Sequence, residues 1–121
     1  MTSPSGLAET PRPRRLGPDA NKLEAGDRPA HDWYRFVLSF PPHLVRDYVR
    51  RFDLGPKSCV LDPFCGTGTT VVETKKLGLH GIGLEAHPMA HFASATKVDW
   101  TPDPDRLEKT AAEVAERALM A

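Results

Sequence analysis

Apolar and polar residues follow three successive patterns in the middle of the chain, and each predicts one element. Residues 59–61 form a short apolar run typical of a buried strand, and residues 80–84 form a second such run. Between them, residues 70–77 predict a helix that stops at Gly78, since glycine is common just past a helix end. The order strand, helix, parallel strand is typical of an open α/β sheet. We therefore expect an α/β fold.

Further helices flank this unit on both sides. Residues 43–52 follow two prolines that suit a first helical turn, and we expect their apolar face to point to the core. That face consists of Leu44, Val45, Tyr48, Val49 and Phe52. The opposite, solvated face consists of Arg46, Asp47, Arg50 and Arg51. Residues 88–97 predict a helix, and residues 106–120 predict another, capped by Asp103 or Asp105.

A glycine-rich loop joins the first strand to its helix. Asp62 ends the strand, Gly66 and Gly68 permit close approach of a ligand to the backbone, and Glu85 ends the second strand. Ligands of open α/β sheets bind at the carboxyl ends of the strands. A carboxylate about 20 residues after a glycine loop suits the two hydroxyls of a ribose. The loop and Glu85 thus predict a nucleoside-containing ligand.

The spacing of the loop favours one such ligand over another. A dinucleotide site needs a third glycine, where this chain has Val71, and Asp62 would repel a pyrophosphate. The same Asp62 suits an ammonium group. S-adenosylmethionine has an ammonium, a carboxylate and a ribose, so it fits better than NAD.

One stretch of the chain resembles a known family. The cofactor motif of the S-adenosylmethionine-dependent amino-methyltransferases of DNA, the N4-cytosine and N6-adenine group, is similar to Asp62-Pro63-Phe64-Cys65-Gly66-Thr67-Gly68-Thr69-Thr70. The resemblance extends over about residues 31–99. It implies that Asp62, Phe64, Gly66 and Gly68 line the methionine end and that Glu85 holds the ribose. Pro63, Thr67 and Thr69 complete the expected cofactor-binding set.

The resemblance also implies a fold, a reaction and partners. It implies a Rossmann-like class I methyltransferase fold, present here as a first βαβ unit with flanking helices, so that residues 31–121 form a partial domain. The implied reaction is methyl transfer to an exocyclic amine of cytosine or adenine in DNA. The family holds that amine with Pro-Pro-Tyr or Pro-Pro-Trp after Asp, Asn or Ser, whereas the only Pro-Pro here precedes His43. We assign no catalytic residue, and expect a fragment or a half completed by a second polypeptide.

Two alternatives to this interpretation are open. RNA guanine-N2 methyltransferases have cofactor loops of the form Asp-Pro-x-Cys-Gly-x-Gly, although Thr69 and Thr70 favour the DNA group. Alternatively, the chain is a non-catalytic module that binds the cofactor or complements a partner. Within the DNA interpretation, phosphate contact by Arg46, Arg50 and Arg51 is less favoured than a solvated role.

Composition narrows the class of protein further. The 121 residues have a formal net charge of +0, which argues against a strongly basic nucleic-acid module. No apolar run is long enough for a membrane span, and residues 1–30 predict a disordered leader without a signal core, so we expect a cytoplasmic protein. The aromatic residues of the following stretch are expected to pack that leader on the sheet, or to border an adenine: Trp33, Tyr34 and Phe36.

The cysteines and histidines suggest no separate chemistry. Cys59 lies in the predicted strand and is expected to be buried, and Cys65 is expected to pack within the loop rather than act as a nucleophile. His87 and His91 have the spacing of a zinc pair, but no third ligand follows at a suitable distance. We therefore predict no metal site.

Overall fold

The computed structural model describes residues 21–34 and 39–120. These residues form a mixed α/β structure with a small parallel sheet. A 3-10 turn comes first, at Ala25–Asp27. The helices and strands that follow are α1 Arg28–His31, α2 Pro42–Arg51, β1 Cys59–Asp62, α3 Thr69–Lys76, β2 His80–Gly83, α4 Pro88–Val98 and α5 Pro104–Leu119.

The predicted strand–helix–strand unit is confirmed. Strands β1 and β2 pair in parallel, with Val60 opposite Gly81 and Asp62 opposite Gly83, and α3 is the crossover between them. Helix α3 begins at Thr69 and its last turn is followed by Gly78, whose φ of 71° is accessible to glycine at little cost. The carboxyl ends of both strands therefore lie side by side.

Two glycines in β2 let α3 lie close to the sheet. A Cβ atom at Gly81 would overlap the Thr74 hydroxyl, and one at Gly83 would lie 2.8 Å from Cys65 Sγ and 2.9 Å from Val71 Cγ1. In dinucleotide-binding folds the third glycine of the loop serves this close packing. Here the glycines are on the strand and the bulkier Val71 is on the helix.

The prediction that the first strand is buried is wrong. In β1, Leu61 is 59% exposed and Cys59 is also exposed, and in β2 Ile82 is 51% exposed. Residues of a strand alternate between two faces. Helix α3 covers the face of Val60 and Asp62, and no described element covers the other face, which we call the open sheet face: Cys59, Leu61, His80 and Ile82.

Helix α2 begins and ends one residue before the predicted range of 43–52, and it does not have the predicted faces. Val45 is buried, whereas Tyr48 and Phe52 stack on each other at the surface with ring centroids 5.9 Å apart. The predicted solvated role of Arg46 is wrong, since only 18% of its side chain is exposed. Arg50 is exposed as predicted, at 73%.

Arg46 belongs to a group of ionisable side chains packed between α2, α3 and the preceding segment, which we call the charged cluster: Glu24, Asp27, His31, Arg46, Glu73 and Lys76. Glu73 is fully buried and accepts hydrogen bonds from His31 Nε2 at 2.9 Å, Arg46 Nη1 at 2.7 Å and Lys76 Nζ at 2.8 Å. Asp27 accepts hydrogen bonds from both Nη atoms of Arg46, at 2.8 and 2.9 Å. Such pairing is what permits carboxylates to be buried.

The charged cluster includes part of the predicted leader. Residues 25–31 form two short helical turns, and Asp27 and His31 are each 5% exposed, so this stretch is packed rather than disordered. Residues 1–20 of the leader lie outside the described residues, as does Phe36. Trp33 is 62% exposed, so the predicted packing of this aromatic residue on the sheet is wrong.

The last two helices are confirmed. In α4, His87 caps the first turn, and in α5 the predicted cap Asp103 accepts from the Arg106 backbone N–H at 2.8 Å. The short extended piece that the sequence suggested for residues 98–100 does not include Val98, which ends α4, whereas Asp99 has an extended backbone. Every residue of α5 is exposed, including its apolar positions Leu107 and Val114.

Among the described residues, none of the helices combines the length and apolarity needed to span a membrane.

Candidate ligand site at the carboxyl ends of the strands

A pocket of about 330 Å³ opens where β1 and β2 end. This volume lies within the range of about 300–1,000 Å³ that is common for small-molecule sites. The pocket lies between the glycine loop, the start of α4 and the residues that precede α2. Its lining consists of Ser39, Phe40, Phe64, Cys65, Gly66, Thr67, Thr69, Glu85, His87 and Ala90.

The glycine loop has a shape that its two glycines make possible. Gly66 has a φ of 53° and Gly68 a φ of 89°, both in the left-handed region where a side chain is costly. The Gly68 N–H donates to the Cys65 carbonyl at 2.8 Å, and the Cys65 N–H donates to the Leu84 carbonyl at 3.0 Å. The loop therefore turns tightly while remaining attached to the end of β2.

The two glycines face different surroundings. A Cβ atom at Gly68 would lie 2.6 Å from Ser94 Oγ, so this glycine is required by contact with α4. A Cβ atom at Gly66 would meet no atom within 4 Å, and Gly66 lines the pocket. The backbone at Gly66 is therefore open to a ligand, which could approach it closely.

Asp62 shapes the loop from the end of β1. One of its carboxylate oxygens accepts from the Phe64 backbone N–H at 3.1 Å, and the other accepts from Thr70 Oγ1 at 2.5 Å. Asp62 does not line the pocket. Its carboxylate therefore joins the first residues of the loop to the first turn of α3.

Glu85 holds the loop from the end of β2. Its Oε2 accepts from the Gly66 N–H at 2.8 Å and its Oε1 accepts from the His87 N–H at 2.7 Å. The hydrogen bond from His87, followed by that from Gly66, lowers the pKa of Glu85 below its usual value, so the side chain is ionised at neutral pH. Since a carboxylate has about four lone-pair sites, Glu85 retains capacity for donors from a ligand.

The structure brings together five of the eight sequence-predicted binding residues. The pocket lining includes Phe64, Gly66, Thr67, Thr69 and Glu85. The other three, Asp62, Pro63 and Gly68, belong to the same loop but do not line the pocket. Phe64 lines the pocket although it is 89% exposed.

Five lining residues were not predicted as binding residues: Ser39, Phe40, Cys65, His87 and Ala90. Ser39 and His87 lie in the flanks over which the family resemblance extends, so their positions beside the motif were an available signal. Cys65 has the predicted packing role, since it is 8% exposed and burial raises the pKa of its thiol. His87 Nδ1 accepts from the Ala90 N–H at 3.3 Å, so its ring caps α4. Among the residues that the structure describes, no group of three or more His, Cys, Asp or Glu side chains could hold a metal ion.

Comparison with known proteins gives this pocket a context. A family model described as DNA methylase matches residues 17–95, which include the glycine loop, Glu85 and the charged cluster. The type II methyltransferase M.BsoBI of Geobacillus stearothermophilus is 37% identical over 67 residues, which are 55% of this chain and 13% of that protein. The type II methyltransferase M.MjaII of Methanocaldococcus jannaschii is 34% identical over 69 residues, or 56% of this chain and 13% of that protein. The chain thus spans 13% of the length of each relative, and no solved structure matches it.

Proposed function

The chain belongs to the DNA methylase family, and on that premise we propose that its pocket is the S-adenosylmethionine site of a DNA amino-methyltransferase. The proposed substrate is the exocyclic amine of cytosine N4 or adenine N6. The observation that carries the proposal is the glycine loop and Glu85 meeting in one pocket at the carboxyl ends of parallel strands. Open α/β sheets bind nucleotide-like ligands at that position.

The donor set of the pocket suits this cofactor. Glu85 offers an ionised carboxylate to ribose hydroxyls, and Phe40 and Phe64 offer rings beside which an adenine could lie. Gly66 leaves space for close contact with the backbone. When bound, S-adenosylmethionine supplies a methyl group on a sulfonium centre. The residues of this chain bind and orient the cofactor, and Asp62 serves by shaping the loop that carries Phe64.

The proposal extends to the fold and the partners. The βαβ unit is the first part of a Rossmann-like methyltransferase domain, and residues 31–121 form a portion of that domain. DNA is the proposed substrate, and the match to a DNA methylase model favours it over RNA. A second polypeptide, or a further part of the same one, is proposed to supply the group that holds the target amine.

Titration calorimetry of the chain with S-adenosylhomocysteine tests the proposal, with NAD as the control ligand. We expect S-adenosylhomocysteine to bind and NAD not to bind. Glu85→Ala should lower the affinity for S-adenosylhomocysteine and for adenosine by about tenfold or more, since a hydrogen bond to a charged group contributes about 1.5–3 kcal/mol. The affinity for methionine alone should fall less.

A matched carboxylate separates binding from folding in this test. Asp99 is exposed and, like Glu85, accepts from a backbone N–H two residues later, that of Thr101 at 3.1 Å, but it does not line the pocket. Asp99→Ala should leave the affinity unchanged. A folded wild-type chain that does not bind S-adenosylhomocysteine would refute the proposal, and equal losses in the two variants would refute the role of Glu85.

A further inference from the structure

Helix α4 supports the glycine loop from behind along one of its faces. Ala90, Ser94 and Lys97 are spaced by four and three residues and so share a face of the helix. Ala90 lines the pocket, and Ser94 Oγ lies 3.8 Å from Cys65 Sγ and against Gly68. Lys97 is the last of the three, and it has a long cationic side chain, whereas the side chains of Ala90 and Ser94 are small.

Lys97 is buried in an unusual way. Lys97 is only 5% exposed, although lysines are almost never fully buried unless they are paired. Its Nζ donates to the Thr67 carbonyl at 3.1 Å and to the Tyr34 carbonyl at 2.9 Å. Both acceptors are backbone carbonyls, which stabilise an ammonium less than a carboxylate would. Burial accordingly lowers the pKa of Lys97 below its usual value.

The two carbonyls belong to two separate parts of the site. Thr67 lies between the two left-handed glycines of the loop and lines the pocket. Tyr34 follows the charged cluster in the sequence and precedes Ser39 and Phe40, which line the same pocket as Thr67. One ammonium therefore joins the glycine loop to the part of the chain that holds Tyr34.

We propose that Lys97 is a positioning residue for the cofactor site, which fixes the glycine loop in its binding shape by joining the Thr67 and Tyr34 carbonyls through one buried ammonium. This inference rests on the proposed function for the identity of the ligand. Lys97 is not among the residues that line the 330 Å³ pocket, and in this assignment it acts through the Thr67 carbonyl of the loop. Its effect is to lower the freedom of a loop whose glycines allow many backbone conformations.

The test compares Lys97→Met with the wild-type chain in two measurements. Methionine keeps most of the length and apolar character of the lysine stem but donates no hydrogen bond. We expect amide hydrogen exchange at residues 66–69 to become at least about tenfold faster, with little change in the strands and α3. We also expect the affinity for S-adenosylhomocysteine to fall by about tenfold. Lys97→Arg, which retains donors, should recover part of both losses.

Lys75 provides a matched control. Its Nζ also donates to a backbone carbonyl, that of Val98 at 2.7 Å, but Lys75 is exposed and lies away from the pocket. Lys75→Met should leave exchange at residues 66–69 and the affinity unchanged. If Lys97→Met does not fold, Lys97→Gln replaces it, because the shorter amide cannot reach both carbonyls and should show the same two losses.

The outcomes separate this inference from the proposed function. Unchanged exchange at residues 66–69 in a folded Lys97 variant overturns the positioning role, whatever the ligand. Faster exchange in the loop together with equally faster exchange in the strands also overturns it, since Lys97 would then be a general stability residue. If the wild-type chain binds no S-adenosylhomocysteine, the proposed function fails, while the exchange measurement without ligand still decides the role of Lys97.

Discussion

Helix α3 separates two regions that reverse the usual distribution of polarity. On one side lies the charged cluster, where Glu73 is fully buried and Asp27 and His31 are each 5% exposed. On the other side lies the open sheet face, where Leu61 and Ile82 are 59% and 51% exposed. Charged groups are thus buried and apolar groups are exposed within the same small unit.

The difference between the two regions lies in which groups have partners. Each carboxylate oxygen of Glu73 accepts a hydrogen bond from a cationic or imidazole side chain, which offsets the cost of removing the charge from water. The apolar side chains of the open sheet face gain little from burial, since no described element lies against them. Local sequence sets the elements, whereas burial depends on what packs against them.

The largest effect is expected from breaking the charged cluster at its centre. Arg46→Met removes the group that bridges Asp27 and Glu73, and leaves two buried carboxylates with fewer partners. The free energy of unfolding should fall by about 3–5 kcal/mol, measured by urea denaturation. Arg50→Met is the control, because Arg50 is 73% exposed and, among the described residues, pairs only with Asp47 in the same helix, so it should change stability by less than about 0.5 kcal/mol. Equal effects would mean that the cluster contributes nothing specific.

A pH series tests the same region without a mutation. Burial raises the pKa of Glu73, but hydrogen bonds from His31, Lys76 and Arg46 outweigh it and lower the pKa from 4.5 to about 2. Because the folded pKa lies below the unfolded one, this contribution to stability is complete above pH 4.5 and is lost as the pH falls towards 2. Urea midpoints should fall through that window. Glu73→Gln should flatten this part of the profile, and an unchanged profile would contradict the assignment.

Two buried histidines differ in whether their ring nitrogens have hydrogen-bond partners. His31 and His43 are each 5% exposed, and His31 bonds to Glu73, whereas neither ring nitrogen of His43 has a hydrogen-bond partner among the described residues. His43→Leu should raise the free energy of unfolding by about 1 kcal/mol, because it removes an unsatisfied polar group. His31→Leu should lower it. Thermal denaturation of both variants measures the difference, and destabilisation by His43→Leu would show that this ring is paired in solution.

The smallest effect on stability is expected at the open sheet face. Leu61→Thr and Ile82→Thr keep a residue suited to strands, and each should change the free energy of unfolding by less than about 0.5 kcal/mol. Val72→Ala, at a fully buried position of α3, should cost about 2 kcal/mol. Sedimentation should show less self-association in the threonine variants. Strong destabilisation by either one would mean that another surface covers this face in solution.

The sequence predicted the elements better than it predicted their environments. The bounds of α2, α3 and α4, to within one residue, and the pairing of the two strands followed from local patterns and from Gly66, Gly68 and Gly78. The charged cluster could not be predicted in this way, since Glu73 meets Arg46 and His31 across 27 and 42 residues of sequence. Of the five predicted residues that line the pocket, four lie in the motif itself, whereas Phe40 and Ala90 line the pocket because the fold brings their segments to the loop.

Helix α5 can be changed with little effect on the rest of the unit, because it is exposed along its whole length. It buries no residue among those described, and its first turn is held by its own cap at Asp103. A helix of 16 residues without tertiary packing is only marginally stable in water. We therefore expect that unwinding, shortening or redirecting α5 would leave the pocket and the charged cluster unchanged. Residues 99–103, which connect α4 to α5, are all exposed, so a protease could cut there and a fusion partner could be attached there.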